Sequence, residues 1–321
     1  MSLNTRQIFA LLSLPGIGPK TILKIGNSTN DTIEDSNLFD LICRFRKVSF
    51  NATVVKQSLS EASRTLKILS EKGIGLMSFY EPSFPESFRK AVDSEGRDAP
   101  SVLIFYRGDI SLMNTNNVAI IGSRNALPQA LKASNYLAEE ISRRGCSIVS
   151  GLALGCDYEA HLGALQVANG KTVAILGNGF DHISPMTHRI LADRILSEGG
   201  LLVSEYAPAT RASKATFVAR DRLQAAMANV VVVVQTAIDG GSMHAAKAAW
   251  QQGKPLYVAR YSNPNTNNSK EMEGNQYLAL NFNAQYIGGH GSLTEITNSI
   301  EEIVTKASPQ NNPIQDVLFH F

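Results

Sequence analysis

The sequence predicts an α/β protein, a doubly wound, mostly parallel sheet preceded by a small helical unit. From about residue 100 onward, short Val/Ile/Leu-rich runs alternate with longer stretches of helical spacing. The short runs are almost continuously apolar, as strands buried on both faces are, whereas a one-sided sheet would alternate with polar residues. Residues 1–72 lack this β-branched clustering and carry helical runs instead.

Taken in order, helices are expected over 5–14, 20–25, 38–45 and 59–72. Between the first two lies Leu14-Pro15-Gly16-Ile17-Gly18-Pro19-Lys20, two glycines in a tight turn before a helix. It reads either as a helix-hairpin-helix element, whose amides can hold a nucleic-acid phosphate, or as an ordinary Pro/Gly turn. Residues 79–100, with Pro82, Pro85 and Pro100, form a connector. Strands are expected at 102–106, 118–121, 147–150, 172–176, 201–204, 230–235 and 255–259. Helical spacing joins Leu131, Leu137 and Ile141, then His161, Leu165 and Ala168, then Ile190, Arg194 and Ile195, and finally residues 242–250. The Asn/Ser-rich stretch 261–275 reads as an exposed loop, and 293–306 as a last helix before a short apolar end at 317–321. The expected division is 1–75 helical, 76–290 α/β and 291–321 helix and tail.

Composition narrows the function classes. The chain has 321 residues, 44% hydrophobic and 18% charged, enough for one sizeable core and a satellite unit, and disorder as the main theme is excluded. Unbroken apolar runs such as 230–234 fall far short of the roughly 18 to 20 residues of a membrane span. Residues 1–16 lack the charged region and small-residue cleavage site of an export signal, and Cys43, Cys146 and Cys156 are too few and too scattered for a disulfide framework or closed zinc site. A cytoplasmic location is expected. The net charge of +2 is unevenly spread: residues 101–260 hold 15 basic and 11 acidic side chains, residues 261–321 hold 2 and 6. The middle segment therefore permits a polyanionic partner.

In an open parallel sheet ligands bind beyond the carboxyl ends of the strands. Four expected strands run there into glycine- and hydroxyl-rich turns: Gly122-Ser123-Arg124, Ser150-Gly151-Leu152-Ala153-Leu154-Gly155, Gly177-Asn178-Gly179 and Asp239-Gly240-Gly241-Ser242. Such turns let backbone amides approach an anion, and each of the helices they feed presents a positive N-terminus. One would be plain turn chemistry; four on one edge predict a phosphate-lined groove. Downstream, 210–223 carries Arg211, Lys214, Arg220 and Arg222 around Phe217, the mixture that suits single-stranded nucleic acid. Arg220 and Arg222 also have an alternative as ion-pair partners of Asp221 and Glu205. Met227, Trp250 and 230–234 are assigned to the core.

Other chemistries lose support. Gly177-Asn178-Gly179 runs on to His182 where a dinucleotide fingerprint needs its third glycine, and Gly170-Lys171-Thr172 precedes a strand and lacks the leading glycine of a Walker loop. Asp157 and His161, four apart on one helical face, are conceivable as an acid/base pair, but a His under a glycine turn more often orders the turn or meets a phosphate. No nucleophile signature or metal-ligand spacing accompanies them. No cofactor and no metal are expected.

Assembled, these residues resemble the DNA-processing protein A (DprA, also Smf) family. The resemblance runs from Val118-Ala119-Ile120-Ile121-Gly122-Ser123-Arg124 through Ile148 to Asp157 with Ala160-His161, Val173 to Gly177 with Gly179 and Asp181, and Leu201 to Tyr206. It continues in Phe217 with Arg220-Asp221-Arg222, Gly241-Ser242 with Ala245, and Gly274-Asn275 with Ala284. It covers about residues 80 to 290, and the N-terminal helices are similar to that family's SAM-like domain. The resemblance implies an extended Rossmann-like domain that binds single-stranded DNA, a homodimer, and help in loading the RecA recombinase during natural transformation, without enzymatic activity. By that carry-over Gly122, Ser123, Arg124, Ser150, Gly151, Arg220 and Arg222 line the DNA groove; Ala153, Gly155, His161, Gly177, Gly179, Lys214, Phe217, Gly240, Gly241 and Ser242 complete the expected site. The sequence departs at Cys156, where the family has Ile, at Asp221, where it has Asn, and at Met243-His244. No winged helix is expected in 291–321. The competing readings are a phosphoribohydrolase-like enzyme on a related fold, against which stand Ala246 and Lys247 where a catalytic Glu belongs, a nucleotide sensor, which stays open because a pocket for a DNA phosphate can hold a mononucleotide, and a protein-binding adaptor.

Overall fold

The computed structural model describes residues 3–288 and 292–308. Four helices come first: α1 (Thr5–Leu12), α2 (Pro19–Gly26), α3 (Leu38–Phe45) and α4 (Ala52–Glu71). A reciprocal capping box, in which the Asn4 side chain takes the Gln7 amide and Gln7 takes that of Asn4, starts α1, and Pro19 in the first turn starts α2. Their apolar stripes meet around Ile8, Leu11, Ile22, Ile25, Leu38, Ile42 and Leu59, in one core with Leu103 and Phe105 of the sheet.

The remaining elements are β1 (Gly75–Ser78), α5 (Glu86–Arg89), β2 (Leu103–Gly108), β3 (Asn117–Gly122), α6 (Pro128–Arg143), β4 (Ser147–Ser150), α7 (Cys156–Leu165) and β5 (Thr172–Leu176). They continue with α8 (Arg189–Ser197), β6 (Leu201–Ser204), α9 (Lys214–Met227), β7 (Val230–Gln235), α10 (Ser242–Gln251) and β8 (Leu256–Ala259). Last come α11 (Pro264–Asn267), α12 (Glu273–Asn281), β9 (Gln285–Ile287) and α13 (Leu293–Ala307). The sheet order is β1-β2-β6-β5-β4-β3-β7-β8-β9. From β6 to β9 every pairing is parallel; β2 joins β6, and β1 joins β2, antiparallel. The strand expected near 102–106 therefore belongs to an antiparallel margin.

Helices α5, α9, α10 and α12 cover one face, while α6, α7 and α13, with α8 and the N-terminal helices, cover the other. All six residues of β7 are buried, each Val adding roughly 1.5–3 kcal/mol relative to exposure. From β3 the chain winds outward through β4, β5 and β6, then crosses back to β7 and winds the other way. The direction reverses between β3 and β7, so the crevice beyond their carboxyl ends is the topological switch point where open α/β sheets bind ligands.

Two expectations need correcting. The Asn-rich stretch after Tyr261 is mostly exposed, as expected, but it is no loop: it folds into α11, capped by Asn263, a short 3₁₀ turn and the start of α12, where Asn275 is buried, its Oδ1 accepting the Thr236 amide at 2.8 Å and its Nδ2 donating to the Ala259 carbonyl at 3.0 Å. Trp250 is 45% exposed, since the inner stripe of α10 is filled by Ala245, Ala246, Ala248 and Ala249; its ring packs edge-on against Phe282. The segment 317–321 lies outside the described residues.

Candidate nucleic-acid interface

At the switch point lies a cleft of about 620 Å³ whose walls come from three strand ends and one helix. After β3, Gly122, Ser123 and Arg124 form one side; after β4, Ala153 lies at the base; after β7, Gly240, Gly241 and Ser242 lead into α10 opposite; and α9 contributes Lys214, Phe217 and Arg220. The Ser123 amide donates to the Gln235 carbonyl at 2.8 Å, and Gln235 Oε1 accepts the Leu127 amide at 2.9 Å, so the first turn is anchored to β7. A capping box between Ser213 and Thr216 fixes the start of α9, which sets Lys214 and Phe217 at the mouth. Lys214 is exposed, and the Arg124 guanidinium lies over the Phe217 ring, 4.7 Å from its centre. Gly241 caps α10 with no atom within 4 Å of where a Cβ would stand, so an anion can reach that helix end.

The other expected residues support this cleft from beneath or lie away from it. Ser150 is buried and donates to the Ile120 carbonyl at 2.7 Å. Gly151 gives space to the Arg220 guanidinium, Nη1 of which stands 1.7 Å from an added Cβ, and Gly155 has φ +75° with an added Cβ 2.3 Å from the Ser123 carbonyl oxygen. Gly177 makes room for Phe217, and Gly179 for the carbonyls of Ala207 and Pro208. Close packing, in place of anion approach, is thus what requires glycine at these four positions. His161 is fully buried with Nδ1 2.7 Å from Thr172 Oγ1; burial first, then the nearby His188 and Arg220 charges, press its pKa down to about 3. It is a neutral core group, neither paired with Asp157 nor facing the cleft.

Asp157 accepts the Gly151 and Ala153 amides at 3.1 and 3.4 Å and so shapes the turn after β4. Arg220 reaches under that turn, donating from Nη1 to the Ile175 carbonyl at 2.7 Å. Its Nε stands 3.2 Å from Asp221 Oδ1, at ion-pair distance though without hydrogen-bond alignment. Only 3% of Arg220 is exposed, so it presents a buried positive charge to the cleft floor and no free fork. Arg222 leaves the cleft altogether. Its two terminal nitrogens grip Glu205 at 2.7 and 2.8 Å and its Nε donates to the Ala99 carbonyl, because residue 222 lies one helical step round α9 from the cleft-facing stripe. For Arg222 the ion-pair alternative is the one the side chain adopts.

Sequence reasoning did not assign Val218, Asp221 and Gln224 to the cleft wall, although 214, 217, 218, 221 and 224 follow the helical stripe that would have found them. Burial drives the Asp221 carboxyl upward, to about 7, against the attraction of Arg220, a cation it shares with Asp157. Beneath Gly122 the Cys156 thiol is pushed up to about 12 by burial, the state of a packing group, not a reactive thiolate. Lys214, Val218 and His244 also line a second, mostly apolar cleft of about 1120 Å³ bordered by Phe9 and Leu12 of α1, Phe105 of β2 and Tyr206.

The profile of the DNA recombination-mediator protein A family matches residues 75–300, which carry every strand of the sheet and the whole cleft. The chain belongs to that family. Among its relatives, DNA processing protein DprA of Bacillus subtilis is 30% identical over 205 residues, 64% of this chain and 66% of the relative. The DprA of Streptococcus pneumoniae is 36% identical over 165 residues, 51% of this chain and 57% of the relative. The matched region thus spans two thirds or less of these relatives. The X-ray structure of DprA from S. pneumoniae superposes with a TM-score of 0.72 at 24% identity, covering 93% of this chain and 98% of that one, and shares the fold. DNA processing protein A from Helicobacter pylori, described for its unique single-stranded DNA binding mode, superposes with a TM-score of 0.60 at 29% identity over 72% and 96% of the two chains. In this member of the family the departure at Asp221 falls on the cleft wall and that at Cys156 in the core beneath it. No helix among the described residues is long and apolar enough to cross a membrane.

Proposed function

We propose that this chain binds single-stranded DNA at the switch-point cleft. One observation carries the reading: Arg124 stacked on Phe217 beside exposed Lys214, facing the open N-terminus of α10. An aromatic ring offers a base a stacking face, while two cations and a helix N-terminus hold the backbone on either side of it. The binding protein of the Helicobacter relative, built on the same fold, supports the same ligand class here.

A binding role without catalysis fits the way the polar groups are spent. Asp157 holds turn amides, His161 is neutral and buried, and Arg220 is tied to a carbonyl. Within the family context we further propose that the chain acts as a homodimer in DNA uptake or recombination, passing the strand to the RecA recombinase.

The test is anisotropy of a fluorescent oligothymidylate across a salt series, with duplex DNA and nucleoside monophosphates as competitors. The expected result is salt-sensitive binding that single strands alone displace, with a slope of roughly 0.7 per phosphate neutralised. Arg124→Ala and Lys214→Ala should each lower both affinity and slope. Displacement by a mononucleotide at comparable concentration would instead make the cleft a nucleotide pocket.

A further inference from the structure

On the sheet face that carries α8, a third cavity of about 610 Å³ opens between β2, β6 and the segment entering α8. Arg107, Arg189, Arg211 and His182 line it, together with Asp181 and Asp193. Arg107 comes from the end of β2, directly opposite Leu202 of β6; Arg189 is the first residue of α8; Arg211 lies three residues before α9. These three elements are far apart in sequence, and the sheet brings their guanidinium groups to one concave surface.

The arginines are distinguished by what they lack. Among the described arginines from 101 to 260, most are committed: Arg143, Arg144, Arg194, Arg220 and Arg222 to carboxylates, Arg124 and Arg260 to rings. Those whose side chains have no ion pair, hydrogen bond or ring partner among the described residues are Arg107, Arg189 and Arg211, and all three line this cavity. Asp181 and Asp193 share the cavity yet stand beyond ion-pair distance of them. Unpaired guanidinium forks converging on one hollow match the oxygens of phosphate groups, which they grip in pairs.

The cavity wall is also held in place, and one segment of chain links it to the first cleft. Gly179 donates its amide to the Thr210 carbonyl at 2.9 Å and Asp181 donates to the Pro208 carbonyl at 3.0 Å, clamping the segment that bears Arg211 against the one that bears His182. Along that same segment Thr210 lines the second cleft, Arg211 the third cavity, and Lys214 both the first and the second. Arg211 of the third cavity thus lies three residues from Lys214 of the first cleft, so one short segment carries a cation of each.

We propose that Arg107, Arg189 and Arg211 form a second phosphodiester site, which holds the continuation of the same DNA strand after it leaves the switch-point cleft. This rests on the reading of that cleft as a single-strand groove. The strand length recognised by the chain is then set by the separation of two phosphate-binding stations, and a short oligonucleotide occupies only the first.

The test compares an oligothymidylate of about 6 nucleotides with one of about 20, spanning the range a single binding unit covers. Binding is measured by anisotropy for the wild type, Arg107→Ala/Arg189→Ala and Arg124→Ala. The double variant should bind the short strand with wild-type Kd, which also reports an intact fold. It should bind the long strand about tenfold more weakly, with a salt slope smaller by about 1.4, two phosphates at roughly 0.7 each. Wild-type affinity and slope of the double variant for the long strand, with Arg124→Ala weakening both strands, would overturn the second site alone. Unchanged binding of both strands by Arg124→Ala would overturn the groove reading beneath it. An oligoglutamate that binds the wild type as tightly as the long strand, and loses that binding in the double variant, would assign the cavity to an acidic protein segment and overturn the proposal.

Discussion

The Arg124 guanidinium lies over the ring of Phe217, 4.7 Å from its centre, and so couples the turn after β3 to the first turns of α9. Arg124 is exposed and Phe217 half-buried, so neither belongs to the core. Their stacking instead presents a flat cationic and aromatic surface at the mouth of a cleft, at the one place where the winding direction of the sheet reverses.

Replacement of that ring should therefore cost binding more than stability. Phe217→Ala is expected to weaken oligothymidylate binding by about 1–3 kcal/mol, the worth of one stacked base, while Phe217→Trp retains most of the affinity. Anisotropy titrations of the two variants at one salt concentration decide it; equal affinities for Ala and Trp would remove stacking from the site.

The turn after β4 depends on a missing side chain. Because an added Cβ at Gly151 would stand 1.7 Å from Arg220 Nη1, and Arg220 is buried, Gly151→Ala must displace that guanidinium from the Ile175 carbonyl. A loss of about 1–3 kcal/mol in stability is expected for the buried groups left unpaired. Urea unfolding measures this, and a variant as stable as the wild type would show that Arg220 has room to move.

A buried ion pair makes a separate prediction. Arg222 and Glu205 are joined by two hydrogen bonds of 2.8 and 2.7 Å, with 10% and 15% of their side chains exposed. Glu205→Gln should destabilise by about 3–5 kcal/mol, since a buried guanidinium loses its counter-charge. The same change should leave the salt slope of DNA binding unaltered, because Arg222 points away from the cleft. A reduced slope in a folded Glu205→Gln protein would return Arg222 to the DNA-contacting set.

How far the sequence carries depends on whether a feature is local. Apolar strands such as 230–234 and the turns that follow them are written in consecutive residues, so the sheet, its wound helices and the edge bearing the cleft can be read directly. The reason for each glycine cannot, because it lies in a residue distant in sequence: Gly151 answers to Arg220, Gly177 to Phe217 and Gly155 to Ser123. Arg222 and Glu205 are likewise paired only by the meeting of α9 with the end of β6. Trp250 misleads because hydrophobicity alone does not tell which side of an Ala-rich helix meets the core, and Asn275 because a polar residue in an Asn-rich stretch gives no sign that three strand-end groups await its amide. Strands β1, Gly-Leu-Met-Ser, and β9, Gln-Tyr-Ile, lack the run of branched apolar residues that marks the equally short β4 and β6.

Asp221 makes the cleft sensitive to pH. Its Oδ1 accepts from Gln224 Nε2 at 3.0 Å, and Arg220, Asp157 and Arg124 are the charged groups that act on it. Burial outweighs the shared Arg220 charge and raises the carboxyl from near 4 in the unfolded chain to about 7. Below pH 4 both states hold the proton and the group has no effect on stability. Between pH 4 and 7 the folded state holds the proton and the unfolded state has lost it, so stability falls as pH rises, by at most about 1.4 kcal/mol per pH unit, and the loss is complete above 7. Asp221→Asn removes this loss: the variant should match the wild type near pH 4, exceed it increasingly toward pH 7 and keep a constant advantage beyond. The same substitution should flatten DNA binding, which in the wild type weakens as an ionised carboxylate appears on the cleft wall between pH 6 and 8. Urea unfolding and oligothymidylate titration of the pair over this range test both parts, and a stability difference independent of pH would mean that Asp221 is already ionised throughout.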